Sequence, residues 1–115
     1  MQVCTKSNLE FILSYVAEQS KLLFSEKLDS VILFGSYARG DYDDESDIDI
    51  MILADIDNSD VTQYTRSLRS MICNLELDYD CVLAPCIVSK EVFNRFKDVL
   101  PFYRNVEEEG VKIAV

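Results

Sequence analysis

Apolar side chains recur along the first part of the chain at close to helical spacing: Phe11, Ile12, Tyr15, Val16, Leu22 and Leu23, with Ser7 or Asn8 available as an N-cap. This spacing predicts an amphipathic helix over about Ser7 to Lys27, its apolar stripe laid on a sheet. The pattern then changes. Val31-Ile32-Leu33-Phe34 is a continuous apolar run ended by Gly35, as expected of a short strand buried on both faces. Ser36 to Arg39 fit one helical turn stopped by Gly40, Asp41 to Ser46 an exposed acidic loop, and Asp47 to Ala54 a second strand.

Val61, Tyr64, Leu68, Met71, Ile72 and Leu75 mark a second long helix that begins near Ser59. Leu77 to Val88 is largely apolar and β-prone, so a strand is expected there, bent or placed at a sheet edge by Pro85. Ser89 is expected to cap a helix carrying Val92, Phe93 and Phe96. Pro101 suits the first residue of a last helix and Gly110 the residue after its end, and the tail Val111 to Val115 suits a final strand. Alternating helices and strands without repeats or linkers predict one α/β (α+β) domain over residues 1–115, a small mixed sheet flanked by helices.

Composition agrees with a compact chain, since 49% of residues are apolar and there are only three Gly and two Pro. Charge narrows the partners. Against 11 Lys and Arg stand 21 Asp and Glu, a net charge of −10, with Asp41, Asp43, Asp44, Glu45, Asp47 and Asp49 crowded together. Such a surface repels a phosphate backbone, so long nucleic acid is not an expected partner, although one nucleotide arriving with its own cation is. The four cysteines, Cys4, Cys73, Cys81 and Cys86, have no C-x-x-C spacing and there is no His. They are expected to be reduced core thiols rather than metal ligands. No basic-then-apolar leader and no apolar run of about 20 residues occurs, which predicts a cytoplasmic protein without a membrane span.

The chemistry concentrates between Phe34 and Ile50. A glycine after a buried strand lets backbone approach a ligand, and the amides and hydroxyl at Ser36 suit triphosphate oxygens. Residues two apart on a strand face one side, so Asp47 and Asp49 project together from positions roughly 6.5 Å apart, while Ile48, Ile50 and Ile52 point to the core. Two carboxylates that close repel each other unless a cation is shared, and Mg²⁺ prefers a few carboxylates with water and substrate phosphates. Two-ion phosphoryl chemistry usually needs a third carboxylate. Asp78 and Asp80 are the candidates, and Asp80 is preferred because it directly precedes the apolar run and is expected at a rigid strand position. Arg39 is a candidate for phosphate contact or for bracing the acidic loop. A lone Asp-x-Asp in an acidic protein is usually a solvated strand end, and a lone Gly-Ser is usually a turn; it is their spacing and placement that carry the signal.

Gly35-Ser36, a ten-residue interval and Asp47-x-Asp49 together resemble the signature of the minimal nucleotidyltransferases of the DNA polymerase β superfamily. Ala38-Arg39-Gly40 and Ser46-Asp47-Ile48-Asp49 also look like typical members. The resemblance implies a polymerase-β-like nucleotidyltransferase fold, with Gly35, Ser36 and Arg39 at a nucleoside triphosphate such as ATP. It also implies a two-ion Mg²⁺ site on Asp47, Asp49 and a third carboxylate that best matches Asp80. Family members of this length resemble the antitoxin half of two-gene modules whose partner is a HEPN-type ribonuclease toxin, and would transfer AMP from ATP to a tyrosine of that partner. Larger relatives carry an extra helical domain and modify antibiotics or tRNA. The alternatives are a small-molecule transferase acting on an aminoglycoside-like acceptor in a homo-oligomer, and a non-catalytic binding module. A phosphoacceptor receiver domain is disfavoured, because its first strand should end in acidic residues and this one ends in Phe34-Gly35-Ser36.

Overall fold

The computed structural model describes residues 5–113. Helix α1 (Lys6–Phe24) leads into strand β1 (Leu28–Phe34), the four-residue helix α2 (Ser36–Arg39) and strand β2 (Ile48–Ala54). Helix α3 (Val61–Tyr79) and strand β3 (Leu83–Ser89) follow, then helices α4 (Lys90–Phe96) and α5 (Pro101–Glu109) and strand β4 (Val111–Ile113). The strands form one mixed sheet in the order β3-β2-β1-β4, as expected. β1 is antiparallel to both β2 and β4, and β2 is parallel to β3. A parallel pair requires a long crossover, which α3 supplies.

Side-chain alternation divides the sheet into two faces with different duties. Val31, Leu33, Ile48, Ile50 and Ile52 meet Ile12 and Val16 of α1 and Leu68, Ile72 and Leu75 of α3 in the larger core. Ile32, Met51, Leu53 and Val88 point to the other face, where Phe93 of α4 and Val106 of α5 cover them. The aspartates of β2 and its entrance alternate with the isoleucines, so they share this second, only partly covered face. Ile50 and Ile52 are 0% exposed, so the register of β2 is strongly held: a slip of one residue would bury the aspartates.

Several local expectations are corrected. The N-cap of α1 is Thr5, whose Oγ1 accepts from the Asn8 N–H at 3.1 Å; Ser7 and Asn8 lie within the first turn. Leu77 to Asp80 are not strand. The stripe Leu68, Ile72 and Leu75 carries α3 on to Tyr79, whose ring meets Phe11 at 5.7 Å between centroids. Asp80 then ends the helix with φ 49° and ψ 52°, a left-handed conformation that Asp tolerates better than most residues, and β3 starts only at Leu83. Pro85 sits on an edge strand, as expected. Ser89 occupies the N-cap of α4 but its side chain makes no capping bond. The cysteines are not core residues throughout: Cys73 is exposed, while Cys81 and Cys86 are partly buried, and Cys4 lies outside the described residues. The final strand is Val111–Ile113, and residues 114 and 115 of the expected strand also lie outside them.

Pro101 opens α5 and Gly110 follows its end, both as expected. Gly110 has φ −69°, so it is not needed for a left-handed turn. It is needed for space: a Cβ there would overlap Ile32 Cγ2 and the Val106 carbonyl oxygen. This close passage seats the end of α5 on β1. Gly110→Ala should therefore destabilise the fold by about 1–3 kcal/mol, the usual range for overpacking. Urea unfolding monitored by circular dichroism measures it, and an unchanged midpoint would contradict the packing described.

Candidate active site

The site is assembled by the pairing of β1 with β2. Register places Phe34 opposite Asp49, so Gly35, the next residue, leaves the sheet beside the Asp49 carboxylate. Gly35 adopts φ 74° and ψ −155°, a conformation that L side chains rarely reach. A Cβ on Gly35 would also overlap Asp49 Oδ2. Two independent constraints, backbone angle and contact, thus require glycine at this position.

After this turn the chain closes on itself. The Gly35 carbonyl accepts from the amides of Ala38 and Arg39, both at 3.1 Å, and Gly40, with φ 86°, ends α2 by donating to the Ser36 carbonyl at 2.9 Å. Tyr37 is buried and stacks on Tyr42 with centroids 4.2 Å apart and planes 9° from parallel, which fastens the acidic loop to α2. Within that loop the Asp43 carboxylate accepts from the Glu45 amide at 2.9 Å and the Ser46 hydroxyl at 3.2 Å. Asp43 is therefore committed to holding the loop, and Asp47, at the entrance to β2, remains exposed.

Asp49 is half-buried, and its pKa is raised above the ordinary aspartate value, first by desolvation, then by the negative charge of Asp47, with Arg39 acting in the opposite sense. A carboxylate pair with one member held in a poorly hydrated position is a place where a divalent cation removes two unfavourable terms together. Arg39, the last residue of α2, donates from Nε to Asp41 Oδ2 at 3.2 Å and approaches Glu109 Oε2 with a terminal guanidinium nitrogen at 3.8 Å. Beside Gly35 opens a cleft of about 450 Å³ whose walls include Phe34, Arg39, Phe102, Asn105 and Glu109. A separate cavity of about 230 Å³, bordered by Lys90, Lys97 and Lys112, contains none of Gly35, Ser36, Asp47 or Asp49 and has no evident link to this chemistry.

The structure thus brings together Gly35, Ser36, Arg39, Asp47 and Asp49. It does not bring Asp80 into that group on the grounds expected. Asp80 caps α3 instead of standing on a strand, and the residue in register with Asp49 on β3 is Ala84. Among the described residues no group of three or more Cys, Asp or Glu side chains is arranged to hold a metal. Three neighbours escaped the sequence reading. Burial raises the Cys86 pKa, with a further rise from the charge of Asp49, and burial raises that of Tyr103, with a further contribution from Cys86. Cys86 therefore belongs to the surroundings of Asp49, and Tyr103 to those of Cys86. Glu109 stands in the acidic run Glu107-Glu108-Glu109, yet it pairs with Arg39. No periodicity could have found these contacts, because they join separate elements, in the case of Glu109 and Arg39 across 70 positions of the chain.

Comparison with known proteins shows the family of the chain. Residues 13–113 match the family model described as a nucleotidyltransferase domain. Two relatives from Methanocaldococcus jannaschii are similar along most of their length. "Putative protein adenylyltransferase MJ0141" is 36% identical over 91% of this chain and 97% of its own, and "Putative protein adenylyltransferase MJ0604" is 42% identical over 78% and 82%. A crystal structure of a "putative nucleotidyltransferase" from Sulfolobus solfataricus shares the fold, with a TM-score of 0.51 and 23% identity over 92% of this chain and 76% of that one. The chain belongs to the nucleotidyltransferase domain family and is a nucleotidyltransferase. The resemblance carried by Gly35-Ser36 and Asp47-x-Asp49 is thereby borne out at the level of the family.

The raised pKa of Asp49 gives a pH dependence with a definite sign. The folded protein holds this proton more tightly than the unfolded chain, so the contribution of Asp49 to stability is fully present below its unfolded value and is lost as pH rises through the folded value. In the presence of EDTA, Asp49→Asn should raise the Tm at neutral pH, and the gain should disappear as pH falls to about 3, below the ordinary aspartate range. Thermal scans across pH test this; an Asn variant less stable than wild type at neutral pH would contradict the strain assigned to Asp49. Gly35→Ala should lower stability too, and should weaken Mn²⁺ binding followed by paramagnetic resonance, because the Asp49 carboxylate must move. Unaltered Mn²⁺ affinity would contradict the contact.

Proposed function

We propose that this nucleotidyltransferase moves AMP from ATP to a tyrosine hydroxyl of a partner protein, with Mg²⁺ held by Asp47 and Asp49. The observation that carries the reading is the Asp49 carboxylate packed against Gly35, which puts a cation-binding group and the backbone turn suited to phosphate oxygens in contact. The donor set fits Mg²⁺: two carboxylates on one face leave coordination positions for water and substrate phosphates. Bound there, Mg²⁺ would supply charge neutralisation for the phosphoryl oxygens and polarise the reacting phosphate.

The chain's own residues have distinct tasks in this reading. Gly35 and Ser36 hold the phosphate tail by close backbone approach and the Ser36 hydroxyl, and Arg39 adds the positive charge that lines the cleft. Asp47 and Asp49 set the position of the α-phosphate. The tyrosine oxygen, giving up its hydroxyl proton to water, forms a new bond to the α-phosphorus as the bond from the α-phosphorus to the oxygen bridging it to the β-phosphate breaks, and pyrophosphate leaves. Catalysis then rests on positioning and electrostatic stabilisation. Asp80 has no task in this scheme, since the strand position that recommended it is occupied differently.

The names of the two archaeal relatives support a protein acceptor, and the acidic rim of Asp41, Asp44, Glu45 and Asp47 disfavours RNA. The motif resemblance adds a HEPN-type toxin as the partner and an antitoxin role, with the pair acting in the cytoplasm. No described helix is long and apolar enough to cross a membrane. Incubation with ATP, Mg²⁺ and the product of the adjacent gene should add adenylyl mass to a tyrosine of that product. Asp47→Asn and Asp49→Asn should each slow the transfer by more than about a hundredfold, beyond what loss of an outer-shell metal partner does. Wild type and both variants leaving the partner equally unmodified, or modifying it equally, would overturn the assignment.

A further inference from the structure

Among the described residues Arg39 is the only cationic side chain that lines the cleft beside Gly35, and it pairs there with two carboxylates, Asp41 and Glu109. Asp41 belongs to the same turn and travels with it. Glu109 does not: it comes from the last turn of α5, a helix otherwise tied to the sheet at Val106, which is 2% exposed, and at Gly110, where the backbone passes too close to Ile32 for a side chain. The Glu109 backbone is thus fixed by core packing, and its carboxylate stands 3.8 Å from the Arg39 guanidinium on the wall of the cleft. Asn105 lies one helical turn before Glu109 and lines the same wall, so this part of α5 faces the cleft as a whole.

We infer that Glu109 is the internal counter-ion of Arg39 that a triphosphate tail displaces, and that it thereby sets the affinity of the site for its nucleotide. This rests on the reading that Gly35, Ser36 and Arg39 receive a nucleoside triphosphate. A carboxylate and a phosphate compete for one guanidinium because both accept from the same planar set of N–H donors. While Glu109 occupies Arg39, the cleft presents a further negative charge to an anionic ligand. Once the phosphate tail takes Arg39, Glu109 turns to water at little cost, since it is about half exposed. The device weakens binding of triphosphates and leaves ligands without β- and γ-phosphates untouched. It also hinders retention of pyrophosphate after transfer, because the same carboxylate competes to reclaim Arg39.

The experiment measures dissociation constants for Mg²⁺-ATP and for AMP by calorimetry on wild type, Glu109→Gln, Arg39→Gln and the double variant, each first checked for an unchanged Tm to within a few degrees. Glu109→Asp serves as a charge-conserving control. Glu109→Gln should tighten Mg²⁺-ATP by about two- to fivefold, the range expected of one solvent-exposed ion pair. The gain should shrink with added salt, be absent for AMP and for Glu109→Asp, and vanish when Arg39 is also Gln. Unchanged or weaker Mg²⁺-ATP binding by Glu109→Gln would overturn the inference alone, as would a gain that persists without Arg39. Absence of Mg²⁺-ATP binding in every protein, wild type included, would instead overturn the nucleotide reading on which it rests.

Discussion

The contact between the Gly35 backbone and the Asp49 carboxylate organises everything around it. It exists because β1 and β2 pair antiparallel with Phe34 opposite Asp49, so the residue that leaves the sheet passes over a side chain that stays in it. Glycine is required twice, by a positive φ and by lack of room. From this contact follow the direction of α2, the position of Arg39 at its end, and the return of the acidic loop to Asp47. The contact holds only while the register holds, and Ile48, Ile50 and Ile52 hold it by filling the core on the opposite face. One strand therefore fills the larger core with Ile48, Ile50 and Ile52, while its other face carries Asp49 at the open end and the buried Met51 and Leu53 beyond it.

The electrostatics run against stability. Asp47 and Asp49 raise the energy of the ionised pair, and Asp49 does so in a partly desolvated place. The nearest relief, Arg39, is divided among Asp41, Glu109 and the field it exerts on Asp49. In a protein of net charge −10 this local excess of carboxylate stands on a strand whose opposite face is buried in the core. Strained charge of this kind is characteristic of sites that await a cation or an anionic ligand with its cation.

Much of this was legible in the sequence because it is local. The alternation of Ile48, Ile50 and Ile52 with Asp47 and Asp49 announced a strand with one buried face, Gly35 and Gly40 bracketed the short helix, and Pro101 and Gly110 bracketed α5. What could not be read was set by tertiary contact. Leu77 to Asp80 look β-prone, yet Leu75 and Tyr79 continue an apolar stripe against α1, and packing outweighs propensity over that last turn. Asp80 consequently ends a helix, and the strand place opposite Asp49 falls to Ala84. The part of α5 that faces the cleft was hidden for a related reason: Glu107-Glu108-Glu109 reads as a solvated run, and only the closure of β4 onto β1 brings Glu109 to Arg39.

In the proposed function Asp47 and Asp49 form one cation site joined to a phosphate-binding turn at Gly35-Ser36. A crystal structure with Mn²⁺ and a non-hydrolysable ATP analogue tests it most directly, because anomalous scattering locates the ion without reference to the protein. The expected result is an ion coordinated by carboxylate oxygens of both Asp47 and Asp49 and by the analogue, whose phosphate tail lies against Gly35 and Ser36. An ion that avoids Asp49, or a phosphate tail bound away from the Gly35 turn, would contradict it.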